Sequence, residues 1–356
     1  MSGYGAALVG VTGDDPSANG GRAGQYSRVD PAAEPRLVTL DDIRAAAKRL
    51  RGVVLRTPLL PLREHGLVKP ESLQPTGSFK IRGAFNALSQ LTDEGQRNGV
   101  VTHSSGNHAQ AVARAARLLG LKAVVVMPDD APAVKVAGVR ADGAEVVFVG
   151  PANEERVARA HEIAERDGLE LVSSANDTRV IAGQGTIGLE IVEQLKEAGV
   201  AVDEPLTVLV PCGLGGLSAG VATAIKALRP SAGVLGVEPA VAADTRGSLA
   251  AGQRTPWPAE QTGRTMADGL RGEAPAPIPF AHQLRYLDGV LTVEEAQIAD
   301  AVARAAGDLR LVLEPSGAVA LAPLLFDDAE LPPGRIVMVA SGGNIDRSRL
   351  LEILAR

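Results

Sequence analysis

Lys80 lies in the run Ser72-Leu-Gln-Pro-Thr-Gly-Ser-Phe-Lys80-Ile-Arg-Gly83, where Gly77-Ser78 reads as a helix start and the lysine as part of its first turn. Most lysines are solvated surface groups. A cation at a helix N-terminus, however, runs against the macrodipole, and that placement lowers the pKa of the amine, as a Schiff-base lysine requires. A second segment, Pro211-Cys-Gly-Leu-Gly-Gly-Leu-Ser-Ala-Gly220, follows an apolar run and opens a helix. Backbone N–H groups of such a loop can surround a phosphate, and the missing side chains let the anion approach. A tight strand–helix turn would look the same, and the loop matches neither the P-loop pattern nor a full dinucleotide fingerprint. The third segment, His103-Ser-Ser-Gly-Asn-His108, gathers hydroxyls, an amide and an imidazole at a helix start, suited to a carboxylate or to simple capping. The fourth, Ala340-Ser-Gly-Gly-Asn344, follows the last apolar strand. Together, a lysine, a phosphate cradle and a carboxylate loop describe an aldehyde-phosphate cofactor meeting an amino acid.

Something must hold these segments at one place. Short apolar runs at 100–102, 122–127, 145–149, 170–172, 207–210, 234–237 and 336–339 read as buried strands. Helical patterns separate them at 109–119, 153–167, 186–197, 218–227 and 293–306, and a first helix starts at Thr39, with Asp42 completing a capping box, and stops before Gly52. Strand–helix alternation with continuously apolar strands predicts a largely parallel sheet covered on both faces. Such a sheet binds its ligand where strand ends run into glycine-rich turns. Residues 263–279 and 327–333 read as irregular connections.

The chain has 356 residues, enough for two lobes, and aromatics are only 3% of it, so the core must be aliphatic. A formal charge of −6 with no basic run argues against nucleic-acid or anionic-membrane partners. Cys212 is the single cysteine, which excludes an internal disulfide and favours the cytoplasm; its apolar setting reads as a small buried residue rather than a nucleophile. Residues 1–36 lack an apolar signal region and read as a flexible tail, and no stretch matches a membrane span.

Beyond the four segments, the chain carries Thr57-Pro58, Val180-Ile-Ala-Gly-Gln-Gly-Thr186, Gly-Val-Glu-Pro239, Ala-Asp-Gly269 and Glu-Pro-Ser-Gly317 in order. From about Leu37 to its end it resembles the fold-type II pyridoxal-phosphate family of serine/threonine dehydratases, serine racemases and 3-hydroxyaspartate dehydratases. The resemblance implies an α/β fold of two open, mostly parallel twisted sheets with helices on both faces, as in tryptophan synthase beta. The smaller domain (96–179) would be inserted in the larger cofactor-binding one (37–95 and 180–356). It also implies pyridoxal 5'-phosphate held by Lys80, its ring flanked by Phe79 and Gly269, its ring hydroxyl bound by Asn107 and its phosphate by Gly213, Leu214, Gly215, Gly216 and Leu217. Ser341 would face the pyridine nitrogen. A serine, unlike an aspartate, does not keep that nitrogen protonated, which suits expulsion of a β-substituent better than transamination.

By the same resemblance, Ser104, Ser105 and the 106–108 amides (Gly106, Asn107, His108) bind the carboxylate of a small amino-acid substrate and Lys80 moves its Cα proton. The expected reaction is loss of the β-hydroxyl of serine, threonine or 3-hydroxyaspartate to give a 2-oxo acid and ammonia. Ser105 matches the racemases and 3-hydroxyaspartate dehydratases, where a hydroxyl opposite Lys80 can return a proton, so a serine- or aspartate-type racemase is the alternative. Arg156 matches an arginine that those members place near the substrate, and could pair with a side-chain carboxylate; it also reads as a solvated helix residue. Glu238, the Ala242 carbonyl and Asp244 match a divalent-cation site, with oxygen ligands suited to Mg²⁺, Mn²⁺ or Ca²⁺. The expected assembly is a homodimer. Two departures stand out: Leu214 interrupts the glycine run, and Ser173-Ser-Ala-Asn-Asp177 replaces the His-Pro commonly found there. A catalytically silent ligand-binding homologue is the reading of another class; retention of Lys80, Asn107 and Ser341 speaks against it.

Overall fold

The computed structural model of the chain describes residues 36–62, 66–104, 106–131, 133–326 and 331–355. All but Arg36 of the expected tail at 1–36 and most of the expected irregular connection at 327–333 therefore lie outside the described residues, as does Ser105.

Among the described residues ten strands form two sheets. They are β1 (Leu60–Leu62), β2 (Gly66–Pro70), β3 (Val100–His103), β4 (Ala123–Pro128), β5 (Glu145–Val149), β6 (Glu170–Leu171), β7 (Leu206–Pro211), β8 (Gly233–Pro239), β9 (Gly289–Val293) and β10 (Arg335–Ala340). One sheet has the order β1-β2-β10-β7-β8-β9 and the other β5-β4-β3-β6. Every pairing is parallel except β1 with β2. All six residues of β4 and of β7 are buried, as the continuous apolar runs require of strands covered on both faces.

The strand expectations at 100–102, 122–127, 145–149, 170–172, 207–210, 234–237 and 336–339 fall on β3, β4, β5, β6, β7, β8 and β10. Strands β1, β2 and β9 are short, and their sequences give little alternation to read. Thr39 caps its helix with the expected box, its hydroxyl accepting from Asp42 N. The helix expected over 186–197 spans Thr178–Glu197. It holds Gly183, Gly185 and Gly188, which lower helix propensity. They sit where other backbones press close: a Cβ on Gly183 would come within 2.5 Å of Arg82 O, and one on Gly188 within 2.8 Å of Val221 O. A helix at Pro277–Tyr286 occupies the end of the 263–279 connection, with proline in its first turn.

Candidate active site

Helices begin directly after β3 and β7, at Asn107–Leu119 and Gly216–Leu228. The first turn of any helix leaves N–H groups without an intrahelical acceptor. Here two such turns, together with Lys80 and the Ser341 segment, surround one cavity of about 210 Å³. Its lining draws on all four segments singled out in the sequence: Phe79 and Lys80; Ser104, Gly106, Asn107 and His108; Gly213 to Leu217; and Ser341. Gly269 lines it as well.

Lys80 opens the helix Lys80–Leu88 behind Phe79. Its Nζ lies 5.0 Å from the Phe79 ring centroid and donates to the Ser174 carbonyl at 3.1 Å. Burial pulls the ammonium down to about 8. Phe79 is fixed in turn, since its N–H donates to the Ser341 carbonyl at 3.0 Å. The Ser341 hydroxyl donates to the Ser316 carbonyl at 3.4 Å.

The glycine loop is closed off from behind. Gly215 has φ +95°, and a Cβ there would meet Gln283 Nε2 at 2.6 Å; one on Gly216 would meet Ala175 Cα at 3.1 Å. Ser218 donates to the Gly215 carbonyl at 3.1 Å and accepts from Gln283 at 3.0 Å. Leu214 keeps a negative φ and the residue is 42% exposed, so leucine interrupts the run without straining it. Its carbonyl accepts from Ala276 N at 3.0 Å.

Asn107 Nδ2 donates to Glu314 Oε1 at 2.5 Å, and Asn107 Oδ1 accepts from Asn344 Nδ2 at 2.8 Å. The His108 ring turns away from polar work: Nε2 donates to the Val172 carbonyl at 3.2 Å. Burial, then the charge of Lys80, push the imidazole down to about 3, so the ring is neutral near pH 7. Ser104 Oγ accepts from Gly106 N at 3.2 Å. Arg156 does not line the cavity; it stands half-buried near His103, whose pKa is lowered by burial and then by the Arg156 charge.

Several cavity residues were not read as such in the sequence. Glu314 is buried, and burial followed by the Asp268 charge pushes its carboxyl up to about 8. Lys135 reaches Asp268 at 2.9 Å, and Ser316 accepts from Gly269 N at 2.9 Å. Asp268, Glu314 and Ser316 all lie inside quoted motifs, but nothing in their local pattern set them apart from spacer residues.

Glu238 and Asp244 are both fully buried. Glu238 accepts from Thr245 N at 2.9 Å and Arg246 N at 3.0 Å, whereas neither Asp244 oxygen has a hydrogen-bond partner. Burial pushes Glu238 up to about 7; burial and then the Glu238 charge push Asp244 up to about 8. Among the described residues no group of three or more His, Cys, Asp or Glu gathers there or elsewhere, so the side-chain donors number two. Cys212 is buried, and burial pushes its thiol above the ordinary range, which leaves it inert.

The residues around the cavity fit an aldehyde-bearing phosphate ester: an amine of lowered pKa, a glycine-rich loop of backbone N–H groups, and an amide and a hydroxyl lining the same cavity. Comparison with known proteins agrees. The family profile described as "Pyridoxal-phosphate dependent enzyme" matches residues 50–342. The chain is 39% identical to the L-threonine ammonia-lyase of Thermotoga maritima over 326 residues, covering 89% of this chain and 78% of that one. It is 37% identical to an L-threo-3-hydroxyaspartate ammonia-lyase of a Pseudomonas species, covering 89% and 99%. The structure of maize serine racemase superposes with a TM-score of 0.83 at 36% identity, covering 90% of this chain and 98% of that one.

Proposed function

The chain belongs to the pyridoxal-phosphate dependent enzyme family, and from that premise we propose that it is an ammonia-lyase acting on a small β-hydroxy amino acid: serine, threonine or 3-hydroxyaspartate. The observation that carries the reading is the convergence of Lys80, the 213–217 loop and Asn107 on one cavity.

Lys80 would hold the cofactor through Nζ, the first-turn amides after Gly215 would hold its phosphate, Asn107 would bond its ring hydroxyl and Ser341 would face its pyridine nitrogen, with Phe79 and Gly269 alongside. When bound, the cofactor supplies a ring into which the electron pair of a broken Cα–H bond can drain. Ser104 and the amides of the Asn107–Leu119 helix start orient the substrate carboxylate. Lys80, displaced by the substrate amine, takes the Cα proton; its amine pulled down to about 8 leaves a useful neutral fraction near pH 7. The β-hydroxyl leaves with the Cβ–O electron pair as the Cα pair forms the Cα=Cβ bond, takes a proton from solvent to become water, and hydrolysis of the released enamine gives the 2-oxo acid and ammonia. Ser105 is assigned proton return on the face opposite Lys80; Arg156, which stands outside the cavity lining, is given no substrate contact.

A divalent cation at Glu238, Asp244 and the Ala242 carbonyl would compensate two carboxylates that are otherwise buried together. A homodimer and a cytoplasmic, reducing setting complete the reading. Among the described residues no helix is long and apolar enough to cross a membrane. The test is a panel of L- and D-β-hydroxy amino acids scored for 2-oxo acid, ammonia and inversion. Release of 2-oxo acid and ammonia in equal amounts from at least one of them is expected; inversion without release would overturn the lyase assignment. In Ser105→Ala, equal loss with both enantiomers would sink its proposed role.

A further inference from the structure

The segment that departs most from the resembled family, Ser173-Ser-Ala-Asn-Asp177, lies against Lys80. Ser173 Oγ accepts from Asn176 N at 2.9 Å and from Ala175 N at 3.4 Å, folding these residues into a turn. The turn is pinned on two sides. Asn176 Oδ1 accepts from Ile278 N at 3.0 Å, and Ala175 packs where a Cβ on Gly216 would come within 3.1 Å. Between these anchors the Ser174 carbonyl is aimed at Lys80 Nζ, 3.1 Å away.

We propose that Ser173 is a positioning residue, whose hydroxyl holds the Ser174 carbonyl as a dock for the Lys80 ammonium whenever that amine is not bound to cofactor. The inference rests on the reading of Lys80 as the group that moves the Cα proton. A carbonyl accepts and never donates, so it favours the protonated amine, whereas burial disfavours it. The dock therefore lets Lys80 keep a proton just taken and confines Nζ to one side of the cavity. Other groups facing the same cavity do not offer this: the His108 ring is neutral and committed to Val172, Glu314 is committed to Asn107, and Lys135 and Asp268 pair with each other.

The test is the pH titration of Lys80 in the full chain freed of cofactor, followed by competitive acetylation with mass-spectrometric readout of the Lys80 peptide. In Ser173→Ala the midpoint should fall by about one pH unit, tenfold in proton affinity, as expected for one lost hydrogen bond to a charged donor. Ser173→Thr, which keeps the hydroxyl, should titrate as the parent does. Asn176→Ala, which frees the other anchor, should shift the midpoint in the same direction and serves if Ser173→Ala fails to fold. In the holoenzyme, Ser173→Ala should move the acid limb of kcat to lower pH and leave KM within about threefold, about 0.65 kcal/mol. An unmoved midpoint in both alanine variants, or Ser173→Thr behaving as Ser173→Ala, overturns the proposal. Failure of the Lys80 reading shows separately, as absence of a cofactor chromophore in the unsubstituted protein.

Discussion

Asn107 has one amide orientation open to it. The Thr76 carbonyl can only accept, and it takes a hydrogen bond from Asn344 Nδ2 at 2.8 Å. The same nitrogen donates to Asn107 at 2.8 Å, so oxygen must stand there, and Asn107 Nδ2 is left for Glu314 and for the cavity. Gly342 makes room, since a Cβ there would collide with Glu314 Oε1. Asn344→Ala, by releasing this orientation, should weaken cofactor binding about tenfold, ~1.4 kcal/mol, measurable by equilibrium titration of cofactor-free protein; unchanged affinity would show the chain to be dispensable. Gly215→Ala should cost at least as much, because its φ of +95° disfavours a side chain and Gln283 blocks the Cβ. Asn107 and the glycines were legible because several polar or small residues cluster after an apolar run. Glu314 was not: its partner Asn107 is 207 residues away, and one acid before Pro-Ser-Gly carries no local signal.

At the scale of elements, the Lys80–Leu88 helix is anchored by charges almost wholly shielded from solvent. Arg82 bonds Glu71 at 2.7 Å and Glu190 at 2.6 Å, and Lys69 bonds Glu190 at 2.6 Å. This ties β2, the Lys80 helix and the Thr178–Glu197 helix into one unit. Burial alone would raise the Glu71 carboxyl, yet the Arg82 guanidinium, Lys69 and Thr57 hold it below its ordinary range. Removing one member leaves a buried charge unpaired, so Arg82→Met should destabilise the fold by about 3–5 kcal/mol in a denaturant titration; a loss below ~1 kcal/mol would mean the network contributes no more than a surface pair. The first helix has a softer anchor: Val38 N donates to His282 Nε2 at 2.8 Å. Burial lowers the His282 pKa, so the unfolded chain binds more protons and this stability, present above the ordinary value of 6.5, is lost as pH falls. Hydrogen-exchange protection of the Leu40–Arg49 helix, corrected for the intrinsic pH dependence of exchange, should fall below about pH 6, and His282→Gln should blunt that fall. Strand and helix positions were readable from apolar runs; these anchors were not, because they join residues far apart in sequence.

At the scale of the whole molecule, two mostly parallel sheets deliver their strand-end turns to one cavity, which is why motifs more than 200 residues apart meet there. Glu238 and Asp244 leave an open electrostatic cost in the same fold. A divalent cation should raise the melting temperature by a few degrees at saturating concentration, and Asp244→Asn should abolish the response; an unchanged melt with Mg²⁺, Mn²⁺ and Ca²⁺ would leave that pair without a metal role. The reaction itself depends on Lys80. Purified protein supplied with pyridoxal phosphate should show a visible Schiff-base absorbance, and borohydride reduction should fix the cofactor on the Lys80 peptide. In Lys80→Ala both signals should vanish. A chromophore that survives in Lys80→Ala, or a reduced adduct on another lysine, would contradict the assignment on which every step above rests.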